Sequence, residues 1–297
     1  MDLSLFLPPL VACLVIVAIH SYLGLHVIAR EVIFVDLSLA QMAALGSSVA
    51  ILAGSQSDSP TAFLYALGFT TLGAVVFALT RTDQRGAVPQ EAIIGIVFVM
   101  ASAAAILVAD RSPRGGEAIK DILVGSLLWV NWPAIARLAA IYAAIGLFHW
   151  ALRSRFLTIS FHPETALARG WRIRWWDFLF YLSFGIVITF SVPIAGVLLV
   201  FSFLVVPAAI AFQFTRRQGA LAAVSWFAGV LASAAGLWVS FHYDLPTGPV
   251  VVCMFGLLLL AAYLLRRALR PRAVLAGEGF LAADERSTPA TRVPERR

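Results

Sequence analysis

The chain has 297 residues with a formal net charge of +6, 61% hydrophobic and 13% charged, and its mean hydropathy is +0.89. Soluble domains carry about 25% charged residues, so a water-soluble globular fold is excluded. The positive charge is almost wholly arginine in loops and tail, which marks membrane topology rather than nucleic-acid binding.

Taken in order, the apolar runs predict an all-α polytopic membrane protein of about nine transmembrane helices plus one short re-entrant helix. Each full span approaches the roughly 20 apolar residues that cross a bilayer. The first, residues 5–28, lacks the basic region and cleavage site of a signal peptide and is expected to be retained. The second covers 35–53. The polar turn GSQSDSP at 54–60 has no basic residue, which places it outside. A third span, 63–80, returns to the basic loop 81–85 inside, and a fourth covers 92–109. The mixed-charge loop 110–117 follows. Residues 119–129 are too few to span at about 1.5 Å per residue. Asn131-Trp132-Pro133 then interrupts them, so they read as a re-entrant segment, tolerated only where it packs in protein or lines a cavity. Pro133 opens the next span, to 152.

Residues 153–176, RSRFLTISFHPETALARGWRIRWW, hold five arginines and are expected in the cytoplasm. Within them His162-Pro163-Glu164 starts a short helix, with proline in its first turn and glutamate at the positive end of its dipole. Ala168 lies in its last turn and Gly170 ends it. This has the form of a coupling element; the alternative is an amphipathic helix lying on anionic lipid. Residues 177–214 suffice for two spans, with a turn expected at Ser191-Val192-Pro193. Spans 219–241 and 245–265 complete the count, joined by the outer turn at 244–249. The N-terminus then lies outside and the C-terminus inside, with about 18 of the 22 basic residues cytoplasmic. The chain divides into a transmembrane region, 1–269, and a polar tail, 270–297, that cannot bury enough surface to order itself.

Chemistry concentrates in residues 30–46, REVIFVDLSLAQMAALG. An ionisable side chain at membrane depth costs about 2.5 to 3.5 kcal/mol, so Asp36 must face a protein interior or a watery path. Helical period puts Ala40, Ala43 and Ser47 on its face, leaving room for a pore or a close neighbour. The alternative for Asp36 is a structural ion pair with Arg30. Lesser candidates are His26 beside the second span, His20 six residues earlier, and His149 near an arginine-rich border, where it reads as interfacial. His242 and Asp244 at the outer turn could collect a cation or contact a delivering protein, or simply cap the turn. Lys120 and Asp121 could pair. Cys13 and Cys253 lie in apolar runs and offer no CxxC site. No GxxxxGK[ST] loop, HExxH pair or GxSxG elbow occurs, so the chain reads as a transporter subunit rather than an enzyme.

The order of these features resembles the permease subunits of ABC transporters for zinc, manganese or iron. The features are the basic residue and aspartate closing on Gly46, the Pro-Glu helix closing on Gly170, the run GVLLVFSFLVVP at 196–207 and the Asp-Pro-Gly-Pro outer turn. In that family an aspartate and a histidine one turn later form the metal checkpoint. Asp36 matches the aspartate. Ala40 stands at the histidine's place without a gap, and Gln41 only after one insertion. The resemblance implies alternating access in a bacterial inner membrane, for a divalent metal ion that is cargo rather than a permanent cofactor. It implies as partners two ATP-binding subunits docking at residues 162–170, an extracytoplasmic metal-binding protein and a second copy of the chain. The rival functions are a secondary transporter or channel for a cation, a membrane metalloenzyme, and a permease for a metal chelate or other small molecule.

Overall fold

The chain's apolar runs form helices throughout a computed structural model that describes residues 3–56, 59–81, 88–111 and 124–269. Among the described residues nine helices are long and apolar enough to cross a membrane. They are α1 (Leu3–Ala29), α2 (Val35–Leu52), α3 (Pro60–Leu79), α4 (Gln90–Ala109), α5 (Trp132–Ala151), α8 (Ile173–Ala195), α9 (Val197–Phe214), α10 (Gln218–Tyr243) and α11 (Thr247–Leu269). Two short helices, α6 (Arg153–Phe161) and α7 (Pro163–Ala168), stand between α5 and α8. The nine expected spans are therefore found, with ends shifted by a few residues.

Local chemistry explains several of those ends. Ser59 caps α3 by accepting from Ala62 N–H at 3.2 Å, with Pro60 in the first turn. Asn131 does the same for α5, its Oδ1 accepting from Ala134 N–H at 2.9 Å ahead of Pro133. Each cap satisfies a first-turn helix donor that has no partner within the helix.

The helices sort into inner and outer ones. In α1 and α2, 67% of the most apolar window is buried, against 22% in α4 and 17% in α11. The outer surfaces of α4 and α11 expose Val99, Met100, Leu107, Leu257 and Leu260. Such a continuous apolar exterior would aggregate in water and is the expected face toward lipid. Helices α2, α3 and α4 pack together and rest on α8, while α1, α9, α10 and α11 form the other group. Small residues set the closest approaches. A Cβ at Gly46 of α2 would collide with the backbone of Tyr65 and Ala66 on α3, and one at Gly24 of α1 with the Leu204 backbone of α9. The small-residue pattern ending at Gly46 is thus a helix-packing seam.

Two expectations are corrected. The reversal between the two spans of 177–214 falls at Gly196, not at Ser191-Val192-Pro193, which lie within α8. Gly196 ends α8 and precedes α9 with φ +78°, a conformation that favours glycine, so one residue suffices to turn the chain. Residues 153–161 form helix α6 rather than part of a polar loop, because Phe156 and Ile159 bury one side of it. Of the expected re-entrant segment only the end, from residue 124, is described: Val124 is helical and a 3-10 turn, Leu127–Trp129, follows it. It packs on the end of α8, where Ser126 N–H donates to the Ile194 carbonyl at 3.0 Å. The loop 110–117 beyond Arg111, Lys120, Asp121, most of the loop after Arg81 and the tail 270–297 lie outside the described residues.

Candidate functional site

Asp36 lies in the first turn of α2 and is 1% exposed. Neither carboxylate oxygen has a hydrogen-bond partner. Ala40 and Ala43, on the same face, are buried as well, so the acid is enclosed among small side chains. Gln41 is half-buried, one residue round the helix from Ala40. The opening of α2 is held by Glu91 of α4, whose Oε1 accepts from Phe34 N–H at 3.0 Å. The alternative pairing of Asp36 with Arg30 is not formed. Arg30, at the end of α1, turns the other way and gives Nη1 to Asp177 Oδ1 at 2.7 Å.

Asp177, which sequence reasoning did not single out, is fully buried on α8 and holds two arginines. Its second oxygen pairs with Arg81, just beyond α3. Arg30 also gives Nε–H to Ser160 Oγ of α6 at 2.7 Å and lies over the Phe180 ring at 4.0 Å. The same Ser160 hydroxyl is 2.7 Å from His26 Nδ1. His26 is therefore engaged with α6, and it is not gathered with Asp36 and Gln41 by any hydrogen bond of the structure. The only advance signal for this cluster was a lone acid just after an arginine-rich stretch.

His149 is buried rather than interfacial. Its Nε2 is 2.8 Å from Ser183 Oγ, its Nδ1 3.3 Å from the Tyr22 hydroxyl, and its ring stacks on Phe156. His20 lies higher in α1, with Nδ1 2.9 Å from the Ile16 carbonyl and Nε2 3.3 Å from Ser191 Oγ. Both histidines join helices through hydroxyl groups. Among the described residues no group of three or more His, Cys, Asp or Glu side chains is placed to hold a metal ion. A single carboxylate suits a site of passage, where an ion must bind weakly enough to leave.

Helices α6 and α7 make a hairpin with two unlike sides. Phe156 and Ile159 of α6 and Ala166 of α7 are buried toward the bundle. His162, Glu164, Leu167, Ala168 and Gly170 are exposed, and Pro163 is half-buried at the first turn. Gly170 follows α7 with φ +67°, the left-handed stop its position led one to expect. Arg155 lies over the Trp171 ring at 4.0 Å, stiffening the exit toward α8. At the other end of the bundle Asp244 ends α10 in the left-handed region, its N–H bonded to the Ser240 carbonyl. His242 is exposed and stacks on Trp238.

Arg30, Arg81, Arg216, Arg266 and the hairpin all belong to one set of alternate helix ends, the basic set. Among relatives, the manganese transport system membrane protein MntC of Listeria monocytogenes is 24% identical over 230 residues, 75% of this chain and 80% of that protein. The protein of the same name from Halalkalibacterium halodurans is 24% identical over 259 residues, covering 86% of this chain and 85% of that one. Among solved structures, PsaBC from Streptococcus pneumoniae in complex with Fab matches with a TM-score of 0.73 at 19% identity, over 88% of this chain and 92% of that one, a likeness of fold. The model of the ABC 3 transport family matches residues 2–266, nearly the whole length of the nine-helix bundle, and the chain is a multi-pass membrane protein belonging to that family.

Proposed function

We propose that this chain is the membrane-spanning permease subunit of a binding-protein-dependent ABC importer for a divalent metal ion, manganese, zinc or iron. The observation that carries the reading is Asp36, an acid enclosed among helices with no partner for either oxygen. A transport family explains why so costly a group is kept there: a passing cation supplies the missing charge. Carboxylate oxygen and the amide oxygen of Gln41 are hard donors, which suit manganese better than a soft-ligand metal. The manganese named for the Listeria and Halalkalibacterium relatives supports the same cargo.

Asp36 is closed from solvent within the single chain, so an ion reaches it only when α2 and its neighbours part. That is alternating access. The energy comes from a separate ATP-binding subunit, since no phosphate-binding loop lies in this sequence. Two such subunits dock on the exposed face of α7, at His162, Pro163, Glu164, Ala168 and Gly170. A second copy of the chain completes the pathway, and an extracytoplasmic metal-binding protein delivers the ion near His242 and Asp244. The tail 270–297 remains cytoplasmic.

The test is radiometal uptake by cells producing the chain with its ATPase and binding protein, comparing wild type, Asp36→Ala and Gln41→His. Uptake falls in the alanine variant, and the histidine variant shifts preference toward zinc. Unchanged uptake of every metal tried in Asp36→Ala removes Asp36 from the pathway. Uptake by the chain alone in vesicles, with only an ion gradient, overturns the ATP-driven reading in favour of a secondary carrier.

A further inference from the structure

Asp177 joins parts of the chain that the fold otherwise keeps separate. A cleft of about 710 Å³ opens between the end of α3, at Val75, Ala78 and Leu79, and the exit of the hairpin, at Leu167, Trp171 and Trp175. Apolar packing therefore does not close the end of α3 against this exit. What crosses there is charge: Arg81, on the wall of the cleft, reaches Asp177. On its other oxygen Asp177 holds Arg30, and Arg30 holds Ser160 of the hairpin. Six residues beyond Arg30 in the chain stands Asp36.

We infer that Asp177 is a positioning residue for transport, tying the hairpin, the end of α3 and the turn between α1 and α2 into one mechanical joint. The inference rests on the reading of α6 and α7 as the docking element for the ATPase. A displacement of α6 pulls on Ser160, which shares a hydrogen bond with both Arg30 and His26. Arg30 cannot follow without dragging or releasing Asp177, because a guanidinium left buried without its carboxylate is strongly disfavoured. The arginine's planar fork fixes direction as well as distance, a property lysine lacks. Movement at the hairpin thus either carries α1 and α3 with it or breaks the joint, and both outcomes change the setting of the segment that leads to Asp36. One acid facing two arginines suits such a part: either arginine retains a partner for part of the stroke.

The experiment uses the full permease assembled with its ATPase and binding protein in proteoliposomes, reading ions imported per ATP hydrolysed. The variants are Asp177→Asn, Asp177→Glu, Arg81→Gln and Ala168→Arg. Arg81 is 20% exposed at its side chain and borders the cleft, so Arg81→Gln is expected to fold where Asp177→Asn is strongly destabilised. Arg81→Gln keeps the ATPase bound and hydrolysing while ions per ATP fall by about tenfold, within the usual range of coupling between sites. Asp177→Glu, which keeps the charge, recovers most of the ratio. A folded Arg81→Gln complex with the wild-type ratio overturns the inference. Ala168→Arg tests docking by itself, since Ala168 is exposed on α7 and does not line the cleft. Unchanged ATPase binding in that variant overturns the docking reading while leaving the Arg81→Gln ratio to report on the joint.

Discussion

Asp36 and Asp177 are buried acids at the same end of the bundle, one at the start of α2 and the other near the start of α8. Asp177 accepts from two arginines, and its charge is matched on both oxygens. Asp36 accepts from nothing. An ion pair of the first kind resists the loss of either member, because removal leaves a buried charge uncompensated. An acid of the second kind is a standing cost that folding alone does not explain. The difference separates a residue that holds the structure from one that the structure tolerates, and it predicts unequal responses to the same Asp-to-Asn change.

The largest response is expected at the paired acid. Asp177→Asn should destabilise the purified permease by about 3–5 kcal/mol, since two arginines lose their carboxylate together. Thermal unfolding in detergent measures it, and a variant as stable as wild type would erase the contrast. Next comes Ser160→Ala, which deprives Arg30 Nε–H of its acceptor and should cost about 1.5–3 kcal/mol in the same assay. Asp36→Asn should leave stability within about 0.5 kcal/mol of wild type, because the amide is as unpartnered there as the carboxyl it replaces. In the same variant metal uptake should fall by about tenfold or more, the size of effect seen when groups that orient a metal are lost. A drop in stability at this position would reveal a structural partner and weaken the pathway reading. The smallest change is expected at His242→Ala, within about 0.5 kcal/mol, because that residue is exposed and its contacts are a stack on Trp238 and an edge contact with Tyr243. A large loss of uptake there with unaltered stability would sharpen the case for a delivery surface at the outer turn.

How these regions read in advance follows the range of the forces involved. Asp36 was conspicuous because a charge in an apolar run stands out at once, and α7 because Pro163, Glu164 and Gly170 are local start and stop signals. Helix α6 was hidden, since only a few buried side chains among arginines make it amphipathic and its neighbours come from distant helices. The partner of Arg30 is hidden for the same reason. Asp36 is near it in sequence, yet its partner Asp177 is 147 residues away. His149 looked interfacial beside the arginines of 153–155, but the return of α8 and the folding back of α6 cover it.

Apolar length and the uneven placement of arginine were enough, without coordinates, to determine a membrane protein with nine long apolar helices and its basic residues gathered at one set of helix ends. The reason is that a bilayer acts on each segment separately, through transfer cost and charge. Which acid is neutralised and which is left bare was decided by tertiary structure alone. Ion pairs form between whichever groups the packed helices bring within about 4 Å, and that proximity depends on the helix seams at Gly24 and Gly46 and on the turn at Gly196.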